Sequence, residues 1–230
     1  MPPTRVQERF GSGPAADSPA VESVSPSATT VLLIRHAHTH AVGSWLAGRL
    51  PGVALSPAGV TQAERLGERL AASVELKAIY TSPLERAYET AAAIARHQHA
   101  HLEECDELSE IDFGSWTGRT FAELDTDPAW RAFNQTRATA GIPGGEQPGD
   151  VQRRIVGAIA RLARLHPGQT IAIVSHADVL RFALLHYRSM SLDLYYCFQV
   201  EPGSVSVVRL SSDGARVLYV NEGKFAAAAT

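Results

Sequence analysis

The chain has 230 residues, of which 45% are hydrophobic and 20% are charged, and its formal net charge is −3. These values are typical of a globular domain with one hydrophobic core. The small negative charge excludes a general electrostatic attraction to nucleic acid or to an anionic membrane surface. A binding site for an anion must therefore be local, and neither nucleic acid nor a membrane is expected as a partner.

The composition of the two ends of the chain predicts the limits of the folded domain, and the two cysteines indicate the redox environment. Residues 1–28 are rich in Pro, Ser, Ala and Gly and lack the apolar core of a secretory signal, so they are predicted to form a disordered tail. One folded domain is expected over residues 29–225, followed by a short C-terminal tail over 226–230. Cys105 and Cys197 stand in no metal-binding spacing, which favours two buried free thiols in a protein of the reducing cytoplasm.

The first predicted unit is a strand followed by a helix. A short apolar run at residues 29–34 predicts a strand that is covered on both faces. After a loop, Ser56 as N-cap and Pro57 at the first helical position predict a helix of about four turns. The apolar face of this helix is predicted to contain Val60, Ala63, Leu66 and Leu70.

A second strand and helix follow the same scheme. Residues 77–81 predict a short strand, and Ser82 as N-cap with Pro83 in the first turn predicts a helix that ends near His97. The polar, glycine-bearing residues 101–118 predict a short strand and then a long functional loop. Short helices and loops are expected from residue 119 to the segment "GIPGGEQPG", whose glycines and prolines interrupt regular secondary structure.

The last part of the chain predicts a third such unit and then further strands. "DVQRRIVGAIARLARLHPGQ" predicts an amphipathic helix that buries Val151, Ile155, Ile159 and Leu162 and exposes Arg153, Arg154, Arg161 and Arg164. "TIAIVSHADVLRFALLH" predicts a strand that leads into a helix, and "CFQV", "SVSVVRL" and "ARVLYV" predict strands, the last two joined by a turn at "SSDG". Strands that alternate with helices predict an α/β fold, a three-layer α/β/α sandwich with a mostly parallel central sheet.

Polar side chains that buried strands have no packing reason to carry follow three of these strands. Arg35 and His36 follow the first, Ser82 to Arg86 follow the second, and His176 follows the third. The carboxyl ends of parallel strands meet at one edge of the sheet, where ligands bind. Two guanidinium groups together with helix N-termini suit the oxygens of a phosphate group. The sequence therefore predicts a phosphate pocket.

Four segments resemble the histidine phosphatase superfamily, in the branch related to cofactor-dependent phosphoglycerate mutase. They are "LIRHAHT", "TSPLERAYETA", "LSEIDFGSWTG" and "VSHADVLR", which occur in the family's order and span residues 33–181. The resemblance implies a phosphoglycerate mutase-like fold and a metal-independent phosphomonoester hydrolase that needs no cofactor. It also implies a phosphohistidine intermediate and a small phosphorylated substrate. A monomer or a homodimer is expected.

The resemblance assigns roles to individual residues. His36 would be the nucleophile, and Arg35, Arg86 and a protonated His176 would bind the phosphate oxygens. Glu110 would protonate the leaving alcohol and later activate water, and it would need a raised pKa, through burial or neighbouring acids such as Asp112.

Other assignments stay open. Asp112 and Asp178 are reserve proton donors, and Thr39 either contacts the phosphate or stabilises its loop. Glu146 in "GGEQ" resembles the glutamate of the family's G-G-E-S segment, but Gln147 replaces the serine, which leaves the role of Glu146 open. Ala37 and Ala177 stand where the family more often has glycine, a change that tightens the pocket.

There are three alternatives, of which the first two belong to other classes of protein and the third is a mutase of the same branch. The alternation of His36, His38 and His40 is also found in metal-dependent hydrolases, although the chain is short for the barrel that such enzymes use. A non-catalytic phosphate-binding protein would lack the nucleophile or the acid, and both are present. A mutase would transfer the phosphoryl group, but Val42 stands at the position of the mutases' asparagine. Their long helical insertion also looks shortened here, which favours hydrolysis.

Overall fold

The computed structural model describes residues 27–222, so the predicted tails lie almost wholly outside the described residues. Six strands form one sheet in the order β3-β2-β4-β1-β5-β6. The strands are β1 Thr29–Arg35, β2 Ala78–Thr81, β3 His101–Glu104, β4 Thr170–Ser175, β5 Val205–Ser211 and β6 Gly214–Glu222. The first four are mutually parallel, whereas β5 runs antiparallel to both β1 and β6. This is the predicted mostly parallel sheet.

Helices cover both faces of the sheet. They are α1 Pro57–Ala71, α2 Glu85–Gln98, α3 Phe121–Leu124, α4 Pro128–Gln135, α5 Pro148–Arg164 and α6 Ala177–Tyr187. Successive side chains of a strand point to opposite faces, so Leu32 and Ile34 of β1 pack with α1 and α2. Val31 and Leu33 pack in the second core with α5 and α6. The predicted three-layer sandwich is confirmed.

The N-terminal cap of α1 forms as predicted, but one residue of its predicted apolar face does not. Ser56 Oγ accepts a hydrogen bond from the Gly59 amide, and Pro57 is the first helical residue. Ala63, Leu66 and Leu70 are buried, whereas Val60 is 49% exposed. Val60 was therefore assigned wrongly, because the stripe that faces the sheet is narrower than the apolar pattern.

Three other local predictions are wrong. In each case an arginine, serine or histidine side chain forms a hydrogen bond or an ion pair that the local sequence does not indicate. The residue that caps α2 is Leu84 and not Ser82, whose hydroxyl lies against His176. "CFQV" forms no strand, since the carbonyls of Phe198 and Val200 accept hydrogen bonds from arginine side chains. Arg154 does not face water, because it forms an ion pair with Glu146.

The loop after β1 and the segment before α3 are joined by main-chain hydrogen bonds. Trp45 and Thr120 form an antiparallel bridge. The Leu46 amide donates to the Arg119 carbonyl at 2.9 Å, and the Phe121 amide donates to the Ser44 carbonyl at 3.2 Å. These two segments therefore form a continuous wall.

Two further sequence expectations concern the cysteines and membrane spans. Cys105 is buried as expected, but Cys197 is exposed, which corrects the prediction of two buried thiols. None of the helices within residues 27–222 combines the length and apolar character that crossing a membrane would require.

Candidate active site

The register of the parallel strands brings the motif residues together. Arg35, the last residue of β1, pairs with Ser175, the last residue of β4. The next residue in each chain segment is a histidine, so His36 and His176 lie side by side, with ring centroids 5.3 Å apart. On the other side of β4, the Ser82 amide donates to the Val174 carbonyl and places the end of β2 beside them.

His36 is held in a form that leaves one ring nitrogen free. Its Nδ1 lies 2.8 Å from the carbonyl oxygen of Ala37. A carbonyl only accepts, so Nδ1 carries the hydrogen and Nε2 has a free lone pair when the ring is neutral. Burial, followed by the charges of Arg86 and Arg35, lowers the pKa of His36 well below its ordinary value. His36 is therefore a neutral imidazole with an unprotonated nitrogen.

His176 is completely buried beside it. Its Nε2 lies 2.8 Å from Ser82 Oγ, a contact that the sequence did not indicate. Burial and the nearby Arg86 lower the pKa of His176 well below its ordinary value. The lowered pKa favours a neutral His176 ring, which offers one N–H donor, over the protonated ring that was expected.

Arg35 and Arg86 each use one nitrogen to fix their position. Arg35 Nη1 donates to the Val200 carbonyl, and Arg86 Nη2 donates to the Gly48 carbonyl, both at 2.8 Å. Burial lowers the pKa of both guanidinium groups, but a group that starts from 12.5 stays charged at neutral pH.

Several buried nitrogens of this site have no partner. Arg35 Nε, Arg86 Nη1 and His176 Nδ1 are buried without a hydrogen bond among the described residues. Buried polar atoms in native proteins are rarely left unpaired. These three unpaired nitrogens belong to motif residues from three different segments at the same edge of the sheet. They indicate a binding site for an anion that has several oxygens.

Glu110 lies on the wall of the same pocket, partly exposed to it. Burial of its carboxyl group raises its pKa to about 7, the negative charge of Asp178 adds to this effect, and Arg86 opposes it. The raised pKa matches the expectation for a proton donor. The neighbouring acid responsible is Asp178 and not Asp112.

Neither reserve acid is suited to donate a proton. Asp178 is bonded to Arg137 and to Arg181, each at 2.8 Å. Its burial alone would raise its pKa, but these two arginines lower it to about 2. Asp112 Oδ1 accepts from the Gly114 amide, and Asp112 does not line the pocket.

A network of ion pairs holds the main chain at Glu110. Arg49 Nε donates to the Glu110 carbonyl at 2.7 Å, and Arg154 Nη2 donates to it at 3.2 Å. Both arginines also pair with Glu146, which accepts a hydrogen bond from the Asp112 amide. We call Arg49, Glu146 and Arg154 the Glu110 clamp. The clamp gives a structural place to Glu146, which the sequence left open.

The pocket around these residues has a volume of about 370 Å³. Thr39 is buried on its wall, and Ala177 lines it as well, whereas Ala37 is buried and its amide donates to Thr90 Oγ1. The following lining residues, most of which belong to no motif, were not predicted from the sequence: Trp45, Phe113, Phe121, Trp130, Arg137 and Arg181. Phe113 stands in the "LSEIDFGSWTG" segment and Arg181 in the "VSHADVLR" segment, and these two motifs were the available signals.

A larger cavity, about 560 Å³, lies between α1 and residues 201–204. It contains none of the motif histidines and neither of the two motif arginines. The concentration of unpaired donors therefore identifies the smaller pocket as the site.

The alternating histidines do not come together. His38 Nδ1 lies 2.9 Å from Ser56 Oγ, whereas His36 Nδ1 bonds to its neighbour's carbonyl. His97 pairs with Glu64, and His101 is exposed. Within the part of the chain that the structure describes, no three His, Cys, Asp or Glu side chains could hold a metal ion.

Comparisons with known proteins agree with this geometry. The chain is 31% identical over 209 residues to a bifunctional protein of Mycobacterium tuberculosis. The matched region covers 89% of this chain but only 57% of the length of that relative. It is 29% identical to phosphoserine phosphatase 1 of Hydrogenobacter thermophilus, with 83% and 91% of the two chains covered. The solved structure of Bacillus stearothermophilus YhfR matches with a TM-score of 0.79 and 32% identity, over 86% of this chain and 98% of the other.

A sequence model of the histidine phosphatase superfamily, branch 1, matches residues 31–223, which include the four motifs. The match covers most of the chain and agrees with the sheet order and with the paired histidines at the strand ends. The chain therefore belongs to branch 1 of the histidine phosphatase superfamily.

Proposed function

We propose that the protein hydrolyses phosphomonoesters of small molecules through a phosphohistidine intermediate on His36. The observation that carries the proposal is the set of three buried, unpaired nitrogens on Arg35, Arg86 and His176 beside the free Nε2 of His36. These donors suit the three oxygens of a phosphoryl group that is being transferred to His36.

The reaction proceeds in two displacements at phosphorus. His36 Nε2 attacks, the N–P bond forms and the P–O bond to the alcohol breaks, while Glu110 gives its proton to the departing oxygen. In the second step water attacks phosphorus, and the Glu110 carboxylate takes a proton from the water. The N–P bond breaks and inorganic phosphate is released. Because the pKa of Glu110 is about 7, the group can both give and take a proton near neutral pH.

The arginines supply the charge that stabilises the transition state. Arg35 and Arg86 remain cationic, and His176 adds an N–H donor. Removal of one such donor typically costs about 100- to 1,000-fold in rate. The mechanism as proposed uses no metal ion and no cofactor.

Hydrolysis is favoured over mutase-type transfer because a mutase must shield its phosphohistidine from water. The helical insertion of the mutases, which looks shortened in this sequence, and the phosphatase relative support the same choice. The proposal places the enzyme in the cytoplasm, where reduced cysteines are stable, and cell fractionation tests that location. Size-exclusion chromatography with light scattering decides between the expected monomer and homodimer.

The experiment that tests the proposal is rapid quench with a ³²P-labelled monoester. We expect an acid-labile phosphoryl adduct that disappears in His36→Ala, together with a loss of hydrolysis of at least about 1,000-fold. His40→Ala is the matched control, since His40 is exposed in the same loop, and it should retain the adduct. Near-normal hydrolysis by His36→Ala, or transfer to a second phosphorylated metabolite in preference to water, would contradict the proposal.

A further inference from the structure

One wall of the pocket is apolar, in contrast to the charged phosphate-binding residues. This apolar wall consists of Ala41, Val42, Trp45, Leu46, Ala47, Phe113, Phe121 and Trp130. Val42, Trp45 and Phe121 remain partly exposed, whereas His36 and Arg86 are buried. Apolar surface of this kind gains free energy when a ligand covers it.

The apolar wall is held in place before any ligand binds. The bridge between Trp45 and Thr120 and the hydrogen bonds of Leu46 and Phe121 connect its two segments. Trp130 packs behind Phe121, with ring centroids 6.4 Å apart. A rigid apolar surface loses little entropy on binding, so it favours ligands of matching shape.

Apart from Glu110 and the phosphate-binding arginines, the charged side chains of the pocket are already paired with one another. Both oxygens of Asp178 bind arginines, and Glu110 is needed as the proton donor. No other carboxylate lines the pocket among the described residues, so an ammonium group has no counter-ion there. Arg137 is buried, bonded to Asp178 and Asn134, and stacked 3.5 Å from the ring centre of Tyr195. Its side chain is committed to this packing.

We propose, building on the proposed function, that the alcohol part of the substrate is uncharged and carries a flat apolar portion, such as an aromatic ring, that packs against Trp45 and Phe121. The cavity volume of about 370 Å³ lies near the lower end of the range of ~300–1,000 Å³ for small-molecule sites. The pocket therefore suits one ring on a short linker rather than a large cofactor-like molecule.

The test compares monoesters whose leaving oxygens have similar basicity. The probes are 3-phenylpropyl phosphate, n-propyl phosphate, phosphoserine and 3-phosphoglycerate. For the protein with its native sequence, we expect kcat/KM for 3-phenylpropyl phosphate to exceed that for each of the other three by at least about 10-fold, because the ring leaves water.

Variants identify the surface that is responsible. In Trp45→Ala and in Phe121→Ala, the ratio of kcat/KM between 3-phenylpropyl and n-propyl phosphate should fall at least threefold. Tyr219→Ala, which removes an exposed ring on β6 outside the pocket, should leave this ratio unchanged. The ratio is independent of the fraction of folded enzyme, so a partial loss of folding does not imitate the effect.

The outcomes separate the two proposals. Equal turnover of the phenylpropyl and propyl esters, or a preference for phosphoserine or 3-phosphoglycerate, overturns the apolar substrate class but leaves the phosphatase proposal standing. A normal ratio in both ring-deletion variants also overturns it. Absence of hydrolysis with every monoester contradicts the proposed function itself.

Discussion

Glu110 depends on its surroundings more than any other residue of the site. The sequence placed it in a run of acidic residues, where most carboxylates are solvated. The fold instead buries its carboxyl group and brings Asp178 close, from 68 residues further along the chain. Its raised pKa is a product of tertiary structure, and no local pattern contains it.

Replacement of Glu110 by glutamine should affect substrates according to their leaving groups. An alkyl alcohol departs as a strong base and needs a proton, whereas nitrophenolate leaves unaided. In single-turnover phosphorylation, Glu110→Gln should slow an alkyl phosphate by about 100-fold or more and nitrophenyl phosphate by much less. Equal losses for both substrates would show that Glu110 only shapes the pocket.

The charge of Asp178 should be visible in the pH profile. Glu110 must be protonated for phosphorylation, so kcat/KM for an alkyl phosphate should fall as the pH rises above about 7. Asp178→Asn removes the negative charge that raises the pKa of Glu110, so this alkaline limb should move to lower pH. Asp150→Asn, at an exposed site on α5, is the control. An unchanged limb in Asp178→Asn would mean that burial alone sets the pKa.

At the scale of elements, the Glu110 clamp joins three parts of the chain that are distant in sequence. Arg49 comes from the loop after β1, Arg154 from α5, and Glu146 from the turn before α5. Gly114 allows the segment that contains Glu110 to approach the turn that contains Glu146, because Gly114 adopts a φ of +49° and a Cβ there would lie 2.2 Å from the Pro143 carbonyl. The clamp therefore fixes the main chain at Glu110 from outside the pocket.

Glu146→Gln tests the clamp as a positioning device. The change should loosen the Glu110 main chain and lower kcat/KM for an alkyl phosphate by about 10- to 100-fold, the loss typical of misplaced catalytic groups. Nitrophenyl phosphate should be affected less, as in Glu110→Gln. Glu64→Gln, which breaks an ion pair with Arg96 and His97 far from the motifs, should change neither rate. A uniform loss for both substrates in Glu146→Gln would indicate a merely structural role.

The sequence was sufficient for the elements with strong periodicity and for the motif residues at the strand ends. The buried strands and the long helices α1, α2 and α5 formed as predicted, because local pattern and tertiary packing agree there. Predictions failed where a contact with a residue that is distant in sequence determines the position of a side chain. Ser82 was expected to cap a helix, but its hydroxyl lies against His176, 94 residues away. Arg137 belongs to no pattern, and its contacts with Asp178 and Tyr195 join it to residues that are distant in sequence.

At the scale of the whole molecule, the positive charge of the site comes from side chains that the sheet collects at one edge. Arg35 is the last residue of β1, and Arg86 stands at the start of α2 after β2, so two separate strand ends each contribute a cation. Such an arrangement needs no divalent ion to neutralise the phosphate. The helix α6 begins at Ala177 on the wall of the same pocket, and helix N-termini favour anions.

Chelation should therefore leave activity unchanged. Incubation with EDTA, followed by gel filtration into metal-free buffer, should leave kcat/KM within about twofold of the untreated enzyme. Addition of Zn²⁺ or Mg²⁺ should not raise it. Loss of activity on chelation and recovery with Zn²⁺ would favour the metal-dependent interpretation of the alternating histidines.

The pairing of Arg35 with Ser175 has a consequence for how errors of folding affect this enzyme. A slip of one residue between β1 and β4 would separate the two histidines, and it would also turn every side chain of β1 to the wrong face of the sheet. Val31 and Leu33 would exchange layers with Leu32 and Ile34, and both cores would be lost. A folded but misaligned and inactive form is thus excluded by the same burial that stabilises the fold, so selection for a stable core also preserves the alignment of the catalytic pair.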